Sequence, residues 1–175
     1  MALEEPKYAV LAEKAGYEVR DYEPYLVAEV DVRGQSADSR GFRTLAGYIF
    51  GDNQSSEKMQ MTAPVESHVA DDSDGITYAF VMESKYTMDT LPAPNNEEIR
   101  IREKPRRVVA AMRFSGRWTE SNVNRHKQQL LEDLAADGIE PRGIAELARY
   151  NSPFMPWFLR RNEVIVPIDW PATTP

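Results

Sequence analysis

Two stretches of the chain decide its architecture: "YEVRDYEPYLVAEVDVRG" (residues 17–34) and "IRIREKPRRVVAAMRFSG" (residues 99–116). They superpose without a gap, 82 positions apart, with apolar residues coinciding at 17/99, 19/101, 26/108, 27/109, 28/110, 30/112 and 32/114. Both end on glycine, Gly34 and Gly116, and Arg20 matches Arg102 while Asp21 matches Glu103. Apolar residues alternate on either side of a polar kink in each copy. That is the pattern of two strands joined by a tight bend.

The segments C-terminal to the two copies correspond too. After Gly34, residues Phe42, Leu45, Ala46 and Ile49 fall at i, i+3, i+4, i+7, the apolar stripe of an amphipathic helix, and Gly51 is placed to stop it. After Gly116, Thr119 or Ser121 can cap a second helix whose stripe is Val123, Leu130, Leu131 and Leu134 and which ends at Gly138. Strand-like "KMQMTAPVESH" (58–68) and "ITYAFVME" (76–83) come after the first helix, and "RGIAELARYNSPF" (142–154) and "NEVIVPI" (162–168) after the second. A short opening strand is expected over Tyr8–Leu11.

The expected fold is therefore α+β: an antiparallel sheet or distorted barrel built from two strand–helix–strand–strand repeats with pseudo-two-fold symmetry, both helices packed on it. The halves run over about 17–90 and 99–168, joined by the Pro- and Asn-rich "LPAPNNEE" (91–98). Neither half buries its sheet face alone, so residues 1–175 are expected to form one domain.

Composition narrows the function. With 21 basic against 28 acidic residues the net charge is −7, which opposes general binding to nucleic acid or to an anionic membrane. Cysteine is absent, which excludes disulfides, thiolate chemistry and cysteine-based metal centres. The acidic N-terminus and the lack of a long apolar run point to a cytoplasmic chain with no membrane span. No nucleophile elbow, phosphate loop or dinucleotide glycine motif occurs. His68 reads as a loop residue and His126 as a half-buried packing residue at the edge of the second stripe. The run Asp71, Asp72, Asp74, Gly75 reads as a solvated turn rather than a calcium loop. No metal site is expected.

The most unusual stretch is "YNSPFMPWFLRRNEV" (150–164). Pro153 and Pro156 bar a regular helix or central strand, so a loop carries Phe154, Met155, Trp157, Phe158 and Leu159 and then Arg160 and Arg161. One reading is a plug that folds onto the core. The other is a cover for an amphipathic planar ligand, its apolar body buried by the loop and its carboxylates held by guanidinium groups. Arg40 and Arg43 flank the first helix's stripe and offer the same combination.

Across nearly the whole chain the sequence resembles the SOUL haem-binding proteins. The resemblance rests on "YEVRDYEPYLVAEV" (17–30), "GFRTLAGYIFGDN" (41–53), "KMQMTAPV" (58–65), "LPAPNNEEIRI" (91–101), "FSG" (114–116) and "RYNSPFMPWFLRRNEV" (149–164). It implies a distorted antiparallel barrel, similar to gyrase-inhibitor-like modules that bind varied small molecules and sometimes hydrolyse them. It also implies haem or another tetrapyrrole as ligand, in an apolar groove beside the first helix. The groove would use Phe42, Arg43, Ala46 and Ile49, with Met155, Trp157, Phe158, Arg160 and Arg161 from the loop. Some members carry a histidine in the "YEVRxY" motif as the proposed axial ligand of the iron; here that position is Asp21, a poor haem ligand. The expected role is non-enzymatic, a carrier or buffer of haem or a related tetrapyrrole. The alternatives are a gyrase-inhibitor-like hydrolase using Glu83, and a protein-interaction module using the apolar loop 154–159.

Overall fold

The computed structural model describes residues 2–71 and 74–171. The elements are β1 (Tyr8–Glu13), β2 (Glu18–Tyr22), β3 (Tyr25–Val32), α1 (Ala37–Ile49), β4 (Val65–Val69), β5 (Ile76–Val81), β6 (Arg100–Lys104), β7 (Arg107–Phe114), α2 (Glu120–Ala136), β8 (Glu146–Arg149) and β9 (Asn162–Pro167). A 3-10 turn spans Trp157–Leu159. The strand pairs are antiparallel, so the α+β class and the two sheet-packed helices are as expected. The strand-like segment 58–68 is regular only over Val65–Val69; residues 58–64 are irregular. Of the acidic turn, positions 72 and 73 lie outside the described residues.

The chain forms two compact units, and they are not the two sequence halves. One holds Met1–Pro6 and Pro24–Pro105; the other holds Lys7–Glu23 and Arg106–Pro175. The bends at residues 23–24 and 105–106 thus divide each repeated stretch between units. In the first unit the strand order is β4-β5-β3-β6, and in the second it is β1-β2-β7-β9-β8. Leaving β1 aside, the second order read backwards, β8-β9-β7-β2, matches the first strand for strand. The bounds agree as well: β2 against β6 and β3 against β7 are each displaced by 82 residues at both ends (18 to 100, 25 to 107).

In the first unit α1 lies on β3 and β5, burying Leu45, Tyr48 and Ile49 against Val30, Tyr78 and Phe80. Close approach depends on Gly41, where a Cβ would lie 2.6 Å from the Tyr78 ring. The helix ends as expected before Gly51, whose φ of 117° suits glycine. The segment 91–98 is tied to this unit rather than loose. The Tyr48 hydroxyl donates to the Pro92 carbonyl at 2.6 Å, and the Gln54 amide donates to Ala93 at 2.9 Å.

In the second unit α2 lies on β7 and β9. Its N-cap is Thr119, whose hydroxyl accepts from the Asn122 amide at 3.3 Å. Val123, Leu130 and Leu134 enter the core with Val19, Met112, Val164 and Val166, while Leu131 stays outside. His126 packs as expected: it stacks on Phe114 with centroids 4.1 Å apart, its Nδ1 2.7 Å from the Asn122 carbonyl.

Candidate functional site

In each unit one glutamate is fully buried. In the first, Glu66 on β4 accepts from the Tyr25 hydroxyl at 2.7 Å and from Lys104 Nζ at 2.5 Å, and both ends of the ion pair are buried. In the second, Glu163 on β9 accepts a two-pronged bond from Arg20, Nη1 at 2.8 Å and Nη2 at 2.9 Å. It also accepts from Arg161 at 3.2 Å and from the Tyr150 hydroxyl at 2.8 Å. Burial by itself would raise the Glu163 pKa. The bonds and positive charge of Arg20, then Arg161, outweigh it and hold the carboxyl below the usual range. Burial pushes the neighbouring Tyr22 phenol up to about 12, although Arg20 opposes it.

An open cleft of about 740 Å³ lies over this second network. Tyr8, Tyr17, Arg20, Arg113, Arg161 and Glu163 line it, with the Arg20 guanidinium 4.4 Å from the centre of the Tyr8 ring. A second cleft, of about 530 Å³, lies in the first unit beside Glu29, Asp31, His68, Thr77, Arg100 and Arg102. Here Arg100 bonds Asp31 at 2.8 Å and, ahead of the other influences, keeps its pKa low, while Arg102 pairs with Glu29 at 3.2 Å. These acids are neutralised by cations at hydrogen-bonding distance, an arrangement suited to holding structure rather than to moving protons.

The residues expected around the groove take different positions. On α1, Phe42 is 43% exposed and meets Phe80 edge-on at 5.3 Å, Arg43 is exposed and Ala46 is half-buried. Ile49 is 2% exposed and belongs to the core. The outward strip is instead Phe42, Ala46 and Phe50, one helical turn apart each, and Phe50 is 58% exposed. Sequence reasoning missed Phe50 because it took a single apolar stripe, whereas this helix carries apolar residues on two faces. Arg43 has no hydrogen bond or ion pair among the described residues, which leaves its guanidinium available.

The loop is no core plug. Phe154, Met155, Trp157, Phe158 and Leu159 are all exposed, Phe154 to 95%. Its two arginines already have partners. Arg160 donates to the carbonyls of Met155 and Pro153 and lies 4.2 Å over the Trp118 ring. Arg161 bonds Glu163 and stacks 3.7 Å over Tyr150. Asp21, at the position of the family histidine, is held by Arg106 through contacts of 3.0 and 2.5 Å, which keeps its pKa low. A carboxylate is a poorer haem ligand than imidazole. Glu83 accepts from the Gln60 amide at 3.1 Å and lies 3.3 Å from Lys85. Among the described residues no group of three or more His, Cys, Asp or Glu could hold a metal ion, and no helix is long and apolar enough to cross a membrane.

Similarity to known proteins agrees with this architecture. Heme-binding protein 2 of Homo sapiens is 30% identical over 166 residues, covering 84% of this chain and 79% of that one. Heme-binding protein 1 of Mus musculus is 27% identical over 161 residues, covering 87% of this chain and 84% of that one. A hydrolase from Listeria innocua superposes with a TM-score of 0.64 over 91% of this chain and 94% of its own, at 12% identity, which shows a common fold and nothing about chemistry. The profile of the SOUL heme-binding protein family matches residues 3–167, so the chain belongs to that family.

Proposed function

We propose that the protein binds haem or a related tetrapyrrole without acting on it chemically, as a carrier or buffer in the cytoplasm. The observation that carries this reading is the outer strip of α1: Phe42, Ala46 and Phe50 in line, with the unpaired Arg43 beside them. A porphyrin has an apolar face and carboxylates at one edge, and this strip offers apolar surface next to a guanidinium. The relatives' names as heme-binding proteins support the same ligand class. Arg160 and Arg161 are engaged within the protein, which makes Arg43 the carboxylate partner in this proposal.

Iron would bring redox chemistry to such a ligand, but no histidine stands at position 21 to ligate it, and the Asp21 carboxylate there is paired with Arg106. The test is an absorbance titration with ferric haem and with metal-free porphyrin. Affinities within about tenfold of each other are expected, with both weakened by Arg43→Glu. A preference for haem of about a hundredfold would demand an axial ligand and refute the reading in this form. No binding of either compound would refute it altogether.

A further inference from the structure

The loop between β8 and β9 is built in a way that binding a small ligand does not require. Its outermost side chains are Phe154, Phe158 and Leu159, at 95%, 58% and 61% exposure, with Trp157 half-exposed behind them and set edge-on to Phe158 at 5.5 Å. An exposed loop ordinarily leaves its backbone groups to water. Here many are satisfied from within. The Phe154 amide donates to the Ser152 hydroxyl and the Met155 amide to the Ser152 carbonyl. The Leu159 amide donates to Pro156, and the Trp157 carbonyl accepts from Gly116. Arg160 covers the carbonyls of Pro153 and Met155. A tip with its backbone bonded internally can enter an apolar medium without stranding those groups.

Charge points the same way. In a chain of net charge −7, no Asp or Glu occurs from Arg149 to Asn162, nor from Arg113 to Thr119. These two segments meet: the Gly116 amide bonds Trp157, Arg117 lies 5.5 Å from the centre of the Trp157 ring, and Trp118 Nε1 bonds Asn162 at 2.6 Å. The charged residues of the two segments that meet at the tip are thus all arginines. The overall charge opposes an anionic surface, but it acts at a distance. At about 0.1 M salt the screening length is near 10 Å, so the tip experiences mainly its own arginines.

We infer that this tip docks on the headgroup–acyl boundary of an anionic lipid bilayer, Phe154, Phe158 and Leu159 entering shallowly and Arg117 reaching lipid phosphates. A bilayer surface offers what the tip matches, an apolar layer beneath a negative one. The docking is peripheral, and no segment spans the membrane.

The experiment uses the haem-free full chain with vesicles of phosphatidylcholine alone or mixed with phosphatidylglycerol. Co-sedimentation with the mixed vesicles and little with the neutral ones is expected, together with quenching of tryptophan emission by brominated lipid that is much reduced in Trp157→Phe. Phe154→Ser/Phe158→Ser removes side chains that are mostly exposed, so the fold should persist by circular dichroism while the bound fraction falls about tenfold or more. Arg117→Glu should abolish the preference for anionic lipid. The inference is overturned if the wild type fails to sediment with mixed vesicles, if neutral vesicles serve equally, or if the double-serine variant binds unchanged. Absence of quenching by brominated lipid would also overturn it. Failure to bind haem would leave the vesicle result standing.

Discussion

The two units bury a carboxylate by different means, although their strands keep the same order. In the second unit the cation is Arg20, at the third position of β2, and its fork spans both oxygens of Glu163, with Arg161 and Tyr150 adding further bonds. The residue 82 positions on, Arg102, sits at the third position of β6 but lies at the surface beside Glu29. There the buried cation is Lys104, the counterpart of Tyr22, and it bonds Glu66, on a strand that does not correspond to that of Glu163. The topology fixes where a charge can be buried but leaves open which register position supplies it. The difference is chemical too: a guanidinium shares its charge over a planar fork, whereas an ammonium is a point charge.

Truncation should disturb both units most severely. A chain ending at Pro94 removes Lys104 and β6 from the first unit, and it leaves β1 and β2 without β7. It should show no cooperative thermal transition by circular dichroism and should aggregate on a sizing column. A monomeric, cooperative melt would show that β6 and its lysine are dispensable.

Among point changes Lys104→Met should be the most damaging. Glu66 would lose its cation and keep the Tyr25 hydroxyl, and an uncompensated buried charge costs about 3–5 kcal/mol. Arg20→Met should cost less, roughly 1.5–3 kcal/mol, because Arg161 and Tyr150 still serve Glu163. Urea denaturation measures both. If Arg20→Met proved the worse of the two, the redundancy assigned to the Glu163 network would be wrong. Adding Glu66→Gln to Lys104→Met should recover part of the loss, since it removes the stranded charge.

Acid should act on the second unit in a predictable direction. The folded pKa of Glu163 lies below its unfolded value, so its contribution is complete above the ordinary carboxylate pKa and is lost as pH falls through the folded one. In Arg20→Met that loss should move to higher pH, visible as an earlier fall in the urea midpoint during acid titration. At the alkaline end the sign reverses. Tyr22, raised to about 12, contributes below the usual tyrosine range, and this is lost as pH climbs toward its folded value.

The smallest effect should come from Arg106→Ala. The Asp21–Arg106 pair matches the buried pairs in its short contacts, but Arg106 is exposed. No measurable change in melting temperature is expected, because water replaces the partner at an exposed site. A clear loss would mean that bond length, rather than burial, sets the value of these pairs.

Much of the fold was legible in advance because periodicity records which face of an element is buried. The alternation at 17–34 and 99–116 located β2, β3, β6 and β7, and the 42/45/49 and 123/130/134 spacings located α1 and α2. The site was less legible. Nothing in a one-dimensional stripe separates Ile49, which faces the core, from Phe50, which faces out. Glu163 and Glu66 also went unnoticed as buried charges. The available signal for Glu163 was a lone acid opening the apolar run "NEVIVPI", but its partner Arg20 lies 143 residues away.

By itself the sequence determined the local structure, since helix stripes, strand alternation and helix-ending glycines act between residues a few positions apart. It also determined the basic, acid-free character of the 149–162 loop. Tertiary structure alone decided that β2 and β6 each join the unit other than that of their neighbouring strand, β3 or β7. It decided as well which arginine is buried, Arg20 and not Arg102, and that the loop's aromatic residues stay outside the core. These outcomes depend on pairings between distant strands, where hydrogen-bond register and the desolvation of charge are fixed by partners that the local sequence does not specify.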